Sequence, residues 1–107
     1  MTQPEYMKHM LQVLDDIQAI DTVVINVTEQ TSITDDMIIC SGRSSRHVKA
    51  IAETVLEQMK AQGFKIASYS GLDAGNWVLI DCFDSILHVM LPETRTYYDL
   101  ESLWTKP

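Results

Sequence analysis

The sequence predicts an α/β (α+β) fold: a mixed five-stranded sheet with flanking helices, in the order α-β-β-α-β-β-β-α. Three observations lead there. Residues 5–18 and 45–61 carry apolar side chains at helical spacing, each stripe wide enough to bury one face. The runs DTVVINV and MIIC and the paired stretch NWVLIDCFDSILHVM are short between breaks and suit strands better than helices. The long helix at 45–61 lies between strands, and a crossover of that length permits a parallel pairing, so the sheet is mixed.

Taken in order, the first helix places Tyr6, Met10, Val13, Leu14 and Ile17 on its apolar stripe and turns Asp15 and Asp16 to water. DTVVINV, at 21–27, reads as a buried strand. A polar loop leads to the strand at 37–40, which Gly42 ends. Ser44 or Ser45 caps the long helix, whose apolar positions are Val48, Ile51, Ala52, Val55, Leu56 and Met59. Gly63 suits the left-handed residue that closes a helix, and Phe64 folds back on the last turn. KIASY, at 65–69, gives a third strand, and Gly71 through Gly75 a loop.

Alternation in the fourth strand puts Trp77, Leu79 and Asp81 on one face, with Val78 and Ile80 on the other. In the fifth, Ser85, Leu87, Val89 and Leu91 oppose Asp84, Ile86, His88 and Met90. Both faces are largely apolar, as in a central strand covered on both sides. Pro92 belongs in the first turn of a helix and Glu93 favours its positive end. Asp99 caps a last turn with Leu100, Leu103 and Trp104.

A chain of 107 residues with 46% apolar content is expected to form one domain over 1–107, its core needing neither disulfide nor structural metal. No run approaches the roughly 20 apolar residues of a membrane span. The start, MTQPEYMKHM, has an early Glu5 and no apolar core, so it does not read as a signal peptide, and a cytoplasmic protein is expected. Cys40 and Cys82 lie far apart in predicted strands and read as buried free thiols rather than a disulfide. The 8 Lys and Arg stand against 15 Asp and Glu, a net charge of −7. Direct nucleic-acid binding draws most of its affinity from neutralised phosphates, so a basic protein is the better partner.

Each candidate for chemistry has a plainer reading beside it. SGRSSRHVK opens the long helix and could cradle a phosphate on free N–H groups, or be a serine cap with solvated basic side chains. Asp35, Asp36, Asp81 and Asp84 could hold magnesium, and Asp81, Asp84 and His88 a transition metal. Asp81 and Asp84 also flank a tight turn, Cys82-Phe83, where acids are common. His88 reads as a strand histidine bonded to a neighbour, with Asp81 across the hairpin the candidate. As a general base it would need a nucleophile or substrate site nearby, and the sequence points to none. His9 and His47 read as surface residues on helices. No serine or cysteine carries a nucleophile motif, so no catalytic turnover is expected. Trp77, Tyr97, Tyr98 and Trp104 serve either the core or an interface, where Trp and Tyr are enriched. For Trp77 the two differ in outcome: an anchor truncated to Ala leaves the melting temperature within a few degrees, a core residue does not.

Three segments together resemble one family: SITDDMIICSGRSSRHVKAIA at 32–52, NWVLIDCFDSILHVM at 76–90 and ETRTYYDLESLW at 93–104. A strand Trp and Asp, a strand His, then Arg, Tyr, Asp-Leu-Glu and Leu-Trp are the pattern of the ribosomal silencing factor, or Iojap, family. One departure is Ser70, where family members often carry an acid. The resemblance implies a nucleotidyltransferase-like fold without the catalytic signature, and a repressor of translation that needs no cofactor or metal. It implies binding to the large ribosomal subunit through a basic protein at the intersubunit face, large-subunit protein fourteen. Small-subunit joining would thereby be blocked under nutrient limitation. A homodimer in isolation is implied as well, with no membrane or sequence-specific nucleic-acid partner. The expected partner-facing residues are Trp77, Leu79, Asp81, His88, Met90, Arg95, Tyr98 and Glu101. The alternative is a nucleotide- or metal-dependent enzyme of the same fold, using Ser44, Arg46 and the aspartates.

Overall fold

The structure, a computed structural model, describes residues 5–32 and 34–105, the side chains of Trp104 and Thr105 excepted. The aromatic role of Trp104 therefore lies outside the described residues. The elements are α1 (Glu5–Asp16), β1 (Ile20–Asn26), β2 (Asp36–Ser41), α2 (Ser45–Ala61), β3 (Ser68–Ser70), β4 (Trp77–Asp81), β5 (Ser85–Met90), α3 (Pro92–Tyr98) and α4 (Leu100–Thr105). The expected mixed five-stranded sheet is present, in the order β1-β2-β5-β4-β3. Only β2 and β5 pair in parallel; the other neighbours are antiparallel. No helix among the described residues is long and apolar enough to cross a membrane.

Period-two alternation divides the sheet into two unlike faces. Ile38, Cys40, Val78, Ile80, Leu87 and Val89 point to the face on which α1 and α2 pack. Met7, Met10 and Leu14 of α1 and Val48, Ile51, Val55 and Met59 of α2 close this main core. Burying one such side chain contributes roughly 1.5–3 kcal/mol, which makes this face the principal source of stability. The opposite face holds a smaller cluster, Ile25, Val27, Met37, Ile39 and Met90, against which Val23, Trp77 and Leu100 pack.

The local signals that place α2 act as expected. Ser44 is the N-cap, its side-chain oxygen accepting from the His47 N–H at 3.2 Å. At the other end Gly63 takes φ +82°, and the N–H of Phe64 reaches back to the Met59 carbonyl at 3.0 Å. Phe64 then lies against the core and meets the edge of Tyr6 from α1. Gly71 has a stricter task. It takes φ +87°, and a Cβ there would stand 2.1 Å from the carbonyl oxygen of Trp77, so only glycine lets the loop pass the start of β4.

Four expectations need correction. β1 is not a buried strand: it is an edge, mostly exposed, with Val24 41% accessible and an irregular register between Ile20 and Val23. The third strand is shorter and later than 65–69, because Ile66 is drawn toward the main core and regular pairing begins only at Ser68. β4 is covered fully on one face only; Val78 and Ile80 are buried, whereas Trp77, Leu79 and Asp81 are half-exposed. The C-terminal helix is two helices, broken at Asp99, which sits at φ 49°, ψ 51°. Its N–H closes α3 on the Arg95 carbonyl at 2.8 Å, and its own carbonyl accepts from Leu103 in α4.

Candidate functional site

The face that α1 and α2 leave open carries most of the residues singled out from the sequence. Along β4 stand Trp77, Leu79 and Asp81. Pairing with β5 sets Met90 opposite Trp77, His88 opposite Leu79 and Ile86 opposite Asp81. From α3, Tyr98 lays its ring 4.8 Å from that of Trp77, and Tyr97 meets Tyr98 edge-on at 5.0 Å. Tyr98 is 53% exposed and Tyr97 81%, so the indole lies at the inner end of an open aromatic row. Met90 is wholly buried beneath it.

His88 is bonded to Trp77, not to Asp81 as the sequence suggested. The indole Nε1–H donates to its Nδ1 at 2.9 Å. Asp81 instead accepts the Phe83 N–H at 2.9 Å and braces the turn, where Phe83 takes φ 71°. An indole nitrogen can only donate, so Nδ1 must be bare and the proton of the neutral ring sits on Nε2. That Nε2 is buried and has no hydrogen-bond partner among the described residues. Burial pushes the imidazole pKa down to about 4, so the ring stays neutral near pH 7.

This depression has a defined sign. Between pH 6.5, the ordinary value, and about 4, the unfolded chain takes up a proton that the folded ring refuses. Stability is therefore whole above the unfolded value and falls as the pH drops through that window, by up to about 3 kcal/mol. Chemical denaturation at pH 7 and pH 5 should show wild type losing more stability on acidification than His88→Asn. Equal losses would contradict the assigned burial of His88.

Arg95 stands at the C-terminal border of this surface, its side chain only 11% exposed, and ties four elements together. Its Nε and Nη2 donate to both oxygens of Glu101 in α4, at 2.8 and 3.1 Å. Nη1 donates to Ser41 Oγ of β2 at 3.0 Å, and Nη2 to the Asp21 carbonyl of β1 at 2.7 Å. These bonds hold the Glu101 carboxyl below its usual range. Arg95 and Glu101 thus bind the C-terminal helices to the sheet. The sequence reading held Ser41 only as the first residue of the candidate phosphate segment SGRSSRHVK, since nothing in a strand-end serine announces a partner more than fifty positions on.

The remaining candidates fall elsewhere. His47 is half-buried and structurally engaged: its Nδ1 accepts from the Arg43 N–H at 2.9 Å and its Nε2 lies 3.0 Å from the Ile17 carbonyl, joining the start of α2 to the end of α1. His9 is half-buried with its ring near Phe64. Asp35 and Asp36 give their N–H groups to the Asp84 carbonyl, and burial followed by the Asp35 charge raises the Asp36 carboxyl. Among the described residues no three His, Cys, Asp or Glu are gathered as a metal site. Cys40 and Cys82 are buried free thiols, as expected, raised by burial to about 12 and about 11.

Comparison with known proteins addresses this arrangement as a whole. The family model described as "Ribosomal silencing factor during starvation" matches residues 1–107. A ribosomal silencing factor of Chromobacterium violaceum is 40% identical over 100 residues, covering 94% of this chain and 82% of that one. A crystal structure of a protein from the same organism superposes with a TM-score of 0.92 at 39% identity, covering 100% of this chain and 91% of that one. A mouse protein named "Mitochondrial assembly of ribosomal large subunit protein 1" is 34% identical over 99 residues, 90% of this chain and 43% of its own length.

Proposed function

We propose, on the premise that this chain belongs to the ribosomal silencing factor family, that it represses translation by binding the large ribosomal subunit and blocking its union with the small one. The family is one of regulators and not of enzymes. The proposed site is the open sheet face: Trp77, Leu79 and Asp81 on β4, with Tyr98 beside the indole. The single observation that carries the reading is that these side chains are half-exposed or exposed, contiguous, and lie on the face the two long helices leave uncovered. Aromatic side chains that keep a buried flank and an open one are suited to anchoring a protein partner. Met90 and His88 support the surface from below, and Arg95 and Glu101 from its C-terminal border.

The partner is a basic protein of the large subunit, at the face that would meet the small subunit. The net charge of −7 supports this, because opposite fields steer association. The mouse relative's name, which refers to the large ribosomal subunit, supports the choice of subunit. The setting is the cytoplasm.

The test is co-sedimentation with isolated bacterial large and small subunits. Wild type is expected with the large ones alone, and Asp81→Lys should lose that binding by facing like charge with like. The wild-type association rate should fall steeply between about 50 and 500 mM salt, roughly the range over which screening shortens from about 10 Å toward a few ångströms. A rate indifferent to salt, or equal sedimentation with both subunits, would remove the electrostatic docking or the choice of subunit respectively.

A further inference from the structure

We propose that the buried Nε2–H of His88 is a specificity-determining donor, which the docked large-subunit protein satisfies with a main-chain carbonyl oxygen. The inference rests on the reading that this face meets the large subunit. The Trp77 bond fixes the ring: with Nδ1 occupied by the indole N–H, the proton can only be on Nε2. His88 is 5% exposed, and that donor has no acceptor among the described residues. Such an orphan is unfavourable in a free protein, and a native structure that keeps one invites a reason.

Among the described residues no neighbour accepts from this nitrogen. Across the sheet His88 lies between Leu79 of β4 and Ile39 of β2, both apolar. One row toward α3, the polar group is Ser41, whose hydroxyl oxygen already accepts from Arg95. One row the other way it is Asp81, which accepts from the Phe83 N–H. Leu79, opposite His88, is half-exposed and belongs to neither apolar cluster.

The chemistry of the acceptor follows from charge. A carboxylate or a phosphate arriving here would meet Asp81 on the same face and a ring that carries no charge. A neutral carbonyl oxygen accepts the N–H without bringing an unpaired charge into a dry contact. His88 would then discriminate by position: a partner whose carbonyl does not reach Nε2 leaves the donor buried and unpaired.

Two substitutions separate the ring's two nitrogens. His88→Asn keeps an acceptor near the place of Nδ1 and removes the distant donor. His88→Gln restores an N–H near the place of Nε2 and removes the near acceptor. At pH 7, His88→Asn should melt within a few degrees of wild type but bind isolated bacterial large subunits about tenfold more weakly. His88→Gln should bind more tightly than His88→Asn. A folded His88→Asn that binds like wild type overturns the inference, whereas wild type failing to bind large subunits overturns the proposed function itself. Should neither variant fold, the imidazole nitrogen-15 spectrum of the free wild-type protein decides. A protonated Nε2 beside a bare Nδ1 is expected; the opposite tautomer, or an Nε2–H held by a long-lived bound water, overturns it.

Discussion

Trp77→Ala is expected to abolish large-subunit binding and also to lower the melting temperature by more than about 10 °C. The sequence reading took Trp77 as an interface anchor whose truncation would leave the melting temperature nearly unchanged, but the structure packs it against the smaller cluster, so truncation should cost stability as well as the proposed docking. Half-exposed, it would lose part of the roughly 3–5 kcal/mol typical of Trp→Ala in a core. Its removal also strips the donor from His88 Nδ1, leaving a second orphan on a buried ring at a cost of about 1–3 kcal/mol. Together these approach 3–4 kcal/mol, and each kcal/mol shifts melting of a domain this size by about 4–8 °C. The binding loss is separable, since an anchor of this kind is worth on the order of 2 kcal/mol or more. Trp77→Phe keeps a ring against Tyr98 but has no N–H, so it should melt well above Trp77→Ala and bind with intermediate strength. Calorimetry alongside co-sedimentation measures both. A Trp77→Ala protein that melts like wild type and still binds would detach this residue from both roles.

Arg95→Ala should destabilise the fold by about 2–4 kcal/mol by removing the bonds Arg95 makes within the chain. Its guanidinium meets carboxylate, hydroxyl and two main-chain carbonyls, a set that a planar fork serves and an ammonium cannot. Removing one member of a buried pair can destabilise by 3–5 kcal/mol. The figure is smaller here because the Glu101 side chain is 34% exposed and keeps some contact with water. Arg95→Lys should recover only part of the loss. The pair also leaves a mark on the acid limb. Because Arg95 depresses the Glu101 carboxyl, its contribution is full above the unfolded value near 4.5 and is lost as pH falls through the lower folded one. Arg95→Ala should lack that part of the acid dependence. An Arg95→Ala protein as stable as wild type in urea would show that α3 and α4 are held by packing alone.

The faces of the hairpin were legible in the sequence, but not the opposite number of each residue. Alternation assigns Trp77, Leu79 and Asp81 to one side whatever the turn. The sequence reading placed a two-residue turn between Asp81 and Asp84, whereas the register joins Asp81 to Ile86. A shift of two residues preserves every face and changes every partner; the expected register would have set His88 opposite Trp77, its actual hydrogen-bond partner, so register does not account for the bond wrongly given to Asp81. α2 was legible to the residue, because a serine cap, a continuous stripe and a closing glycine all agree. β1 misled because β-branched composition marks a strand without saying whether it lies at the centre or the edge. The Arg95 cluster left no signal: its acceptors include main-chain oxygens of Ile20 and Asp21, and any sequence would supply those.

The parallel pairing of β2 with β5 bears on the order in which the chain can assemble. It joins Asp36 to Ser85 and Ser41 to Met90, partners separated by nearly half the chain. Loop closure of that length must precede any reward from the pairing, so the middle of the sheet is a late and entropically demanding step. During synthesis the N-terminal half can form α1, the β1–β2 hairpin and α2, but β2 keeps one edge bare until the fifth strand has emerged. The proposed docking surface depends on β4, β5 and α3 together. The proposed docking face is therefore complete only once β5 has paired with β2 and α3 has followed it.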